Sequence, residues 1–242
     1  MKVLSWNILA NEYIQKKYYP TVEDDLLIRK ERFKLIVTKI SKNNADILLL
    51  QEVMQAEYKN LKNLLKEKYY ISPLIPIQWK GYKPGESGNV TLIKLSKFNK
   101  INFKTIDSFN YIKCQHRDKK IYIINIHLDD VSQERRITQI NNILDNFKNK
   151  DKIIIGGDCN EEYKKSSGIY KILEDNNFNI SVTDFSYFIE KQMKIDNIFF
   201  KGFKLKSGQV NNICGKRTIE NINCQLKKYG SDHFPVIVRL NL

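Results

Sequence analysis

Six apolar runs in this chain each meet a residue able to bind a cation or move a proton. Asn7 closes the run from Lys2 to Trp6, and Glu52 follows Ile47-Leu48-Leu49-Leu50-Gln51. His127 follows the run that begins at Ile121, and Asp158 and Asn160 follow Ile153-Ile154-Ile155-Gly156-Gly157. Asp196 and Asn197 separate Ile195 from Ile198-Phe199-Phe200, and Asp232-His233 directly precede Phe234-Pro235-Val236-Ile237-Val238. A single polar residue at the end of a strand is ordinarily a turn or a cap. Six such ends supplying carboxylates, amides and imidazoles call for a common explanation, because packed sheets bring their strand ends to one rim. Crowded carboxylates repel unless a cation or shared protons offset the charge. Magnesium fits such a donor set. It takes oxygen ligands in octahedral geometry and keeps several waters, so one or two carboxylates suffice.

The elements that must position these residues are legible as hydrophobic periodicity. Residues 2–6, 46–53, 71–77, 89–94, 120–127, 152–156, 195–200 and 234–240 read as strands. Residues 26–42 carry Phe33, Ile36, Val37 and Ile40 at helical spacing, with Asn43-Asn44 as the stop. Residues 56–68 put Tyr58, Leu61, Leu64 and Leu65 on one helical face, and residues 133–148 do the same with Ile137, Ile140, Leu144 and Phe147. Gln133-Glu134-Arg135-Arg136 reads as a helix start, and residues 168–175 form a further short helix. The order begins strand-helix-strand-helix and becomes mostly strand, which points to α/β layers with mixed sheets. Residues 202–230 show little pattern.

Composition narrows the class. A chain of 242 residues with 42% hydrophobic content can bury a sizeable core. Its longest apolar runs are too short to span a bilayer, and no charged start followed by a long apolar stretch suggests a signal peptide. No transmembrane segment and no obligate protein partner is expected. The four cysteines form no CxxC pair, so neither a zinc site nor a disulfide framework is expected, and a reducing intracellular compartment is the plain reading. The formal net charge of +14 suits a polyanionic partner such as nucleic acid. A lysine-, asparagine- and isoleucine-rich composition also arises from AT-rich coding sequence without any such selection. Trp79 and Tyr82, flanked by Lys80 and Lys83 in the loop between Gln78 and Gly88, have the makings of a base-stacking surface; an ordinary exposed loop is the alternative.

In order, Trp6-Asn7, Leu50-Gln51-Glu52-Val53, Asn125-Ile126-His127, Gly157-Asp158-Cys159-Asn160, Ile195-Asp196-Asn197 and Ser231-Asp232-His233-Phe234-Pro235-Val236 resemble the motifs of the endonuclease/exonuclease/phosphatase superfamily. The match runs from residue 2 to residue 240. Each motif is short; their order and separation carry the resemblance. It implies a single domain over residues 1–242, folded as a four-layer α/β sandwich with two mixed β-sheets face to face and helices outside. It also implies a magnesium-dependent phosphodiesterase, with manganese as a substitute. Glu52 would ligate the metal beside Asn7, with Asp232 at or next to the metal site. Asp158 would orient or deprotonate the attacking water, and Asn160 would position Asp158 and the phosphate. His127 and His233 would face the phosphate, with Asp196 orienting His233 and favouring its protonated form. The chemistry is coherent: an imidazolium and a divalent ion neutralise a phosphorane-like transition state while a carboxylate handles the water proton.

Within the superfamily two branches are similar. The start Trp6-Asn7-Ile8-Leu9-Ala10-Asn11-Glu12-Tyr13 resembles carbon-catabolite-repression-type deadenylases, and Arg135-Arg136-Ile137-Thr138-Gln139 resembles 5′-tyrosyl-DNA phosphodiesterases. Leu9 stands where abasic-site endonucleases and the tyrosyl-DNA enzymes usually carry an acidic residue, a departure that bears on a second metal contact. Arg135 is a candidate substrate contact. His116 is expected in a solvated turn, Glu161 and Glu162 in a solvated loop, and Cys159 beneath the rim without chemistry. Nucleic acid is the expected substrate. The rivals are inositol-phosphate or sphingolipid phosphohydrolases of the same fold, and an inactive nucleic-acid-binding module.

Overall fold

The computed structural model describes residues 1–76, 86–106, 109–164, 168–181, 185–189, 192–210 and 222–242. In chain order its elements are β1 (Lys2–Asn7), a 3-10 turn (Asp24–Leu27), α1 (Arg29–Asn43), β2 (Ile47–Met54), α2 (Gln55–Leu65), β3 (Tyr69–Ile71), β4 (Ile75–Pro76) and β5 (Ser87–Lys94). There follow β6 (Asn99–Ile106), β7 (Phe109–His116), β8 (Lys119–His127), α3 (Gln133–Phe147), β9 (Ile153–Asp158), α4 (Gly168–Asp175) and β10 (Asn179–Ile180). The chain ends with β11 (Tyr187–Phe188), β12 (Gln192–Met193), β13 (Asp196–Lys201), β14 (Lys204–Val210), α5 (Ile222–Tyr229) and β15 (Val236–Asn241).

Two mixed sheets form. One runs β14-β15-β1-β2-β5-β3, with β4 also on β5; the other runs β10-β13-β9-β8-β7-β6. Each holds one parallel pair, β1 with β2 and β8 with β9. A parallel pair needs a long crossover, and α1 and α3 supply them. The sheets face each other across Val3, Leu49, Ile93, Ile112, Ile123, Ile154, Ile198 and Val238. On the outer face of the first sheet, Leu4, Leu48 and Val90 pack against Ile36 and Ile40 of α1, Leu61 of α2 and Leu226 of α5. On the outer face of the second, Ile124, Ile155 and Phe199 pack against Ile140 and Phe147 of α3 and Leu173 of α4. The result is the four-layer α/β sandwich.

Helix termini follow ordinary capping. The Ser132 hydroxyl accepts from the Arg135 N–H at 3.3 Å at the start of α3, and Glu57 reaches back to the Met54 N–H at 3.0 Å at the start of α2. Asn44 ends α1 in the left-handed region, φ 47°. Several boundaries differ from the sequence reading. The expected strand over 71–77 is two short pieces, because Ser72-Pro73 interrupts the ladder; residue 77 is outside the described residues. Residues 26–27 belong to the 3-10 turn, and α1 starts later. The β6–β7 hairpin was not foreseen, and residues 202–230 contain β14 and α5. Among the described residues no helix is long and apolar enough to cross a membrane.

Candidate active site

The inner faces of both sheets change character toward one end. Val3, Ser5 and Asn7 share one face of β1, and Ile47, Leu49 and Gln51 the matching face of β2. Ile123, Asn125 and His127 follow one another along β8, Ile154, Gly156 and Asp158 along β9, and Phe200, Ile198 and Asp196 along β13. Apolar residues fill the middle of the sandwich and polar ones its rim. His127 is the register partner of Asp158, and Asp158 that of Asp196. Three neighbouring strands thus set three candidate side chains in one row.

Glu52 requires a special device. Gln51 already points inward, donating to Asn125 Oδ1 at 2.6 Å, so plain alternation would turn Glu52 outward toward the helices. The β2–β5 register shifts between Leu50 and Val53, and Glu52 has φ 58°. This bulge swings the carboxylate back to the rim. Asn125 crosses from the opposite sheet to satisfy the interrupted ladder, donating to the carbonyls of Leu50 at 3.0 Å and Val90 at 3.1 Å. Gly157, beside Asp158, allows close strand approach, since a Cβ there would overlap the Ile126 carbonyl.

The parts meet through direct bonds. Asn7 Nδ2 donates to Glu52 Oε1 at 2.7 Å and to Asp158 Oδ2 at 3.0 Å, joining the two sheets. The Ala10 N–H holds Glu52 Oε2 at 2.8 Å, and the Leu9 N–H holds Asn7 Oδ1 at 3.0 Å. Leu9 itself is buried with φ 57°, so the position that is acidic in similar enzymes here serves backbone geometry. Asn160, φ 48°, donates its N–H to Asp158 Oδ1 at 2.9 Å and its amide to the Leu128 carbonyl at 2.9 Å. His233 Nδ1 lies 2.8 Å from Asp196 Oδ2, while its Nε2 faces Asp158 Oδ2 at 3.7 Å and Asp232 Oδ1 at 3.9 Å. His127 Nε2 lies 3.6 Å from Asp158 Oδ2.

Charge is the dominant feature. Glu52, Asp158, Asp196 and Asp232 are all buried. Burial, reinforced by Asp232, raises the Glu52 carboxyl to about 7. Burial likewise raises Asp196 to about 6, with the His233 charge opposing, and it raises Asp232. Burial alone would discharge His233, but Asp196, Asp232 and Asp158 outweigh it and hold the ring well above the ordinary histidine value. Burial dominates at His127 and lowers its pKa, against the pull of Asp158. The surroundings thus favour the imidazolium at His233 and the neutral ring at His127.

This donor set fits a divalent cation. Ligand atoms of Glu52, His127 and Asp158 lie within 4.8 Å of one another, as do those of Asp158, Asp196 and His233. Among the described residues Asp232 Oδ1 is buried without a hydrogen-bond partner. Carboxylates raised by burial are groups that a cation would return to their charged form. Glu52 and Asp232 offer hard oxygens of the kind magnesium prefers over imidazole nitrogen, and the Asn7 amide bridges Glu52 to Asp158.

A model of the Endonuclease/Exonuclease/phosphatase family matches residues 4–233. The chain belongs to that family. Solved structures of similar fold include the human Nocturnin catalytic domain with bound sulfate, at 19% identity and TM-score 0.71, covering 100% of this chain and 93% of that one. A family protein from Bacteroides vulgatus is 19% identical with TM-score 0.74, covering 100% and 98%. ANGEL2, described as a 2′,3′-cyclic phosphatase, is 15% identical with TM-score 0.75, covering 99% and 94%. No curated protein matches in sequence.

As a family member the chain brings together eight of the residues expected in its site: Asn7, Glu52, His127, Asp158, Asn160, Asp196, Asp232 and His233. Trp79 and Tyr82 lie outside the described residues. Arg135 bonds Asp129 Oδ2 at 3.2 Å, and its side chain is half exposed. Glu161 is buried, not solvated, because Arg136 Nε at 3.0 Å and the Ile169 N–H at 3.1 Å hold its carboxylate. His116 is no free turn residue: it ends β7, with Nδ1 2.7 Å from the Lys97 carbonyl and its ring against Phe98. The two-residue turn falls one step later, where Arg117 and Asp118 have φ 47° and 62°. Cys159 is fully buried.

Four supporting residues escaped the sequence reading. Tyr19 donates its hydroxyl to Asp232 Oδ2 at 2.9 Å, and Ser186 accepts from the Asp196 N–H at 2.8 Å. Tyr187 packs its ring 4.7 Å from the His233 ring. Arg32 of α1, 4% exposed, donates from Nη1 to the carbonyls of Leu9 at 3.1 Å and Gly230 at 2.8 Å. It ties the loop that holds Glu52 to the turn that precedes Asp232. Replacing Arg32 by methionine leaves both carbonyls without this donor. A loss of about 1–3 kcal/mol is expected in urea unfolding; an unchanged midpoint at constant slope would show that the tie contributes nothing.

Proposed function

We propose that the protein is a divalent-metal-dependent phosphodiesterase acting on nucleic acid. The observation that carries this reading is the junction at Asn7, whose one amide binds a carboxylate from each sheet, Glu52 and Asp158, beside the Asp196–His233 pair. Glu52 and Asn7 would hold the cation, with Asp232 adjoining. When bound, the ion supplies Lewis-acid stabilisation of charge on the phosphate. His233, kept protonated by its acidic neighbours, donates from Nε2 to a phosphate oxygen as negative charge develops there. Asp196 fixes the ring and its tautomer. Asp158 accepts the proton of the attacking water; Asn160 and Asn7 hold its two oxygens in place. His127 binds a non-bridging oxygen as a neutral ring. No covalent intermediate on the protein is required.

The formal charge of +14 favours a polyanionic substrate over a sphingolipid. One substrate panel with magnesium tests the reading: an abasic duplex, a 5′-phosphotyrosyl oligonucleotide, poly(A)-tailed RNA, an RNA ending in a 2′,3′-cyclic phosphate, plain single strands, an inositol polyphosphate and sphingomyelin. At least one nucleic acid should be cleaved with kcat/KM about a hundredfold above the last two. Preference for inositol polyphosphate or sphingomyelin would overturn the nucleic-acid assignment.

A further inference from the structure

A cleft of about 380 Å³ opens from the site on the side of His127. It continues the seam between the sheets beyond Ile93 and Ile112. Its wall includes Asn89 and Thr91 of β5, Phe103 of β6, Asn110 of β7, and Asn125 and His127 of β8. In a chain of net charge +14, no lysine, arginine, aspartate or glutamate lines it among the described residues. Such walls discriminate against a second phosphate and suit a neutral group with hydrogen-bonding edges. The polar atoms are placed for that. Asn89 Oδ1 is buried with no hydrogen-bond partner among the described residues. Asn110 receives the Thr105 hydroxyl on its Oδ1 at 2.7 Å, which turns its amide nitrogen to donate elsewhere. Asn125, by contrast, is committed to the sheet carbonyls.

The geometry points to a nucleobase subsite: the cleft takes the base of the nucleotide next to the scissile phosphate, with Phe103 as its stacking surface and Asn89 and Asn110 reading its edge. The inference rests on the proposed nucleic-acid reading and deepens it. Asn89 supplies an acceptor and Asn110 a donor, the pair a heterocyclic base needs, while the aromatic ring offers a face that every base can cover. The phosphate of the same nucleotide would then sit at His127, where the cleft meets the carboxylate rim.

The test uses the full chain with magnesium and two probes, adenosine 5′-monophosphate and ribose 5-phosphate. Binding is followed by NMR at the side-chain amides of Asn89 and Asn110. The nucleotide should shift both amides saturably, and the sugar phosphate should not at the same concentration. Phe103→Ala should weaken nucleotide binding about tenfold while leaving the sugar phosphate unchanged. Asn110→Ala, at a half-exposed position of the β6–β7 hairpin, should act in the same direction if Phe103→Ala fails to fold. Equal affinity for the two probes, or full nucleotide affinity in the folded variants, overturns the subsite. Cleavage of a single-stranded oligonucleotide is followed in parallel. Cleavage without base-dependent binding would remove the subsite and leave the functional reading standing. Base-dependent binding without cleavage of any nucleic acid would do the reverse.

Discussion

Replacing His233 by alanine, or Asp158 by asparagine, is expected to lower kcat by about 10²–10⁴-fold, equivalent to about 3–5 kcal/mol of barrier. The two losses have different origins. His233 is buried, with Nδ1 2.8 Å from Asp196 Oδ2. In the proposed mechanism its Nε2 donates where phosphate charge builds, so its removal should weaken the transition state more than the bound substrate. Asp158→Asn keeps the shape of the side chain and loses the proton acceptor. For both variants KM should move far less than kcat. Near-normal turnover in both would remove the proposed mechanism. Asp196→Asn refines the test. The carboxylate raises the His233 pKa, so its neutralisation must lower that pKa. Activity that depends on the imidazolium is lost as pH rises through that value. The alkaline limb of the kcat profile should therefore move to lower pH in Asp196→Asn. A limb that stays in place would separate Asp196 from the protonation of His233.

How much of this was readable before any coordinates follows from the physics of each element. The strands that carry the site are buried on both faces, so they read as unbroken apolar runs, and their polar ends stand out against them. His127, Asp158 and Asp196 could be picked out this way, and in the structure they are register partners. Glu52 stood out for the same reason, but its orientation depends on a bulge. A bulge leaves no mark in hydrophobic periodicity, so alternation alone would have pointed Glu52 at the helices. The β6–β7 hairpin was missed because its outer residues alternate lysine and asparagine with isolated hydrophobics, a weak signal at an edge. Tyr19 and Arg32 were missed for another reason. Tyr19 meets Asp232 across 213 residues, and Arg32 meets Leu9 across 23 and Gly230 across 198, separations at which no local pattern encodes a contact. Arg135 also has a local partner that periodicity does not show: it donates to Asp129, six positions before it.

Chelation with EDTA is expected to abolish activity, and added magnesium or manganese to restore it. The expectation comes from charge balance. Four buried carboxylates surround one imidazolium, and Asn7 and the Ala10 N–H supply only dipoles. Without a cation, burial and, after it, repulsion between neighbouring carboxylates favour the protonated acids, raising Glu52 to about 7 and Asp196 to about 6. Cation binding must displace those protons, so affinity should fall with pH. The sign for stability follows. A carboxyl raised in the folded state favours folding while protonated, and that contribution is lost as pH rises through the folded value. The metal-free protein should thus lose stability between about pH 4 and pH 7, the window spanned by the ordinary carboxyl values and the raised ones. Magnesium should stabilise more at pH 8 than at pH 6, read as a larger rise in Tm, and by about 2.7 kcal/mol at a hundredfold excess over Kd. Glu52→Gln should remove most of this rise, because a neutral amide is a much weaker ligand for a hard divalent cation than the carboxylate it replaces. Cleavage that persists undiminished after exhaustive chelation, or a Tm indifferent to magnesium at both pH values, would count against the oxygen-donor site whatever substrate is used.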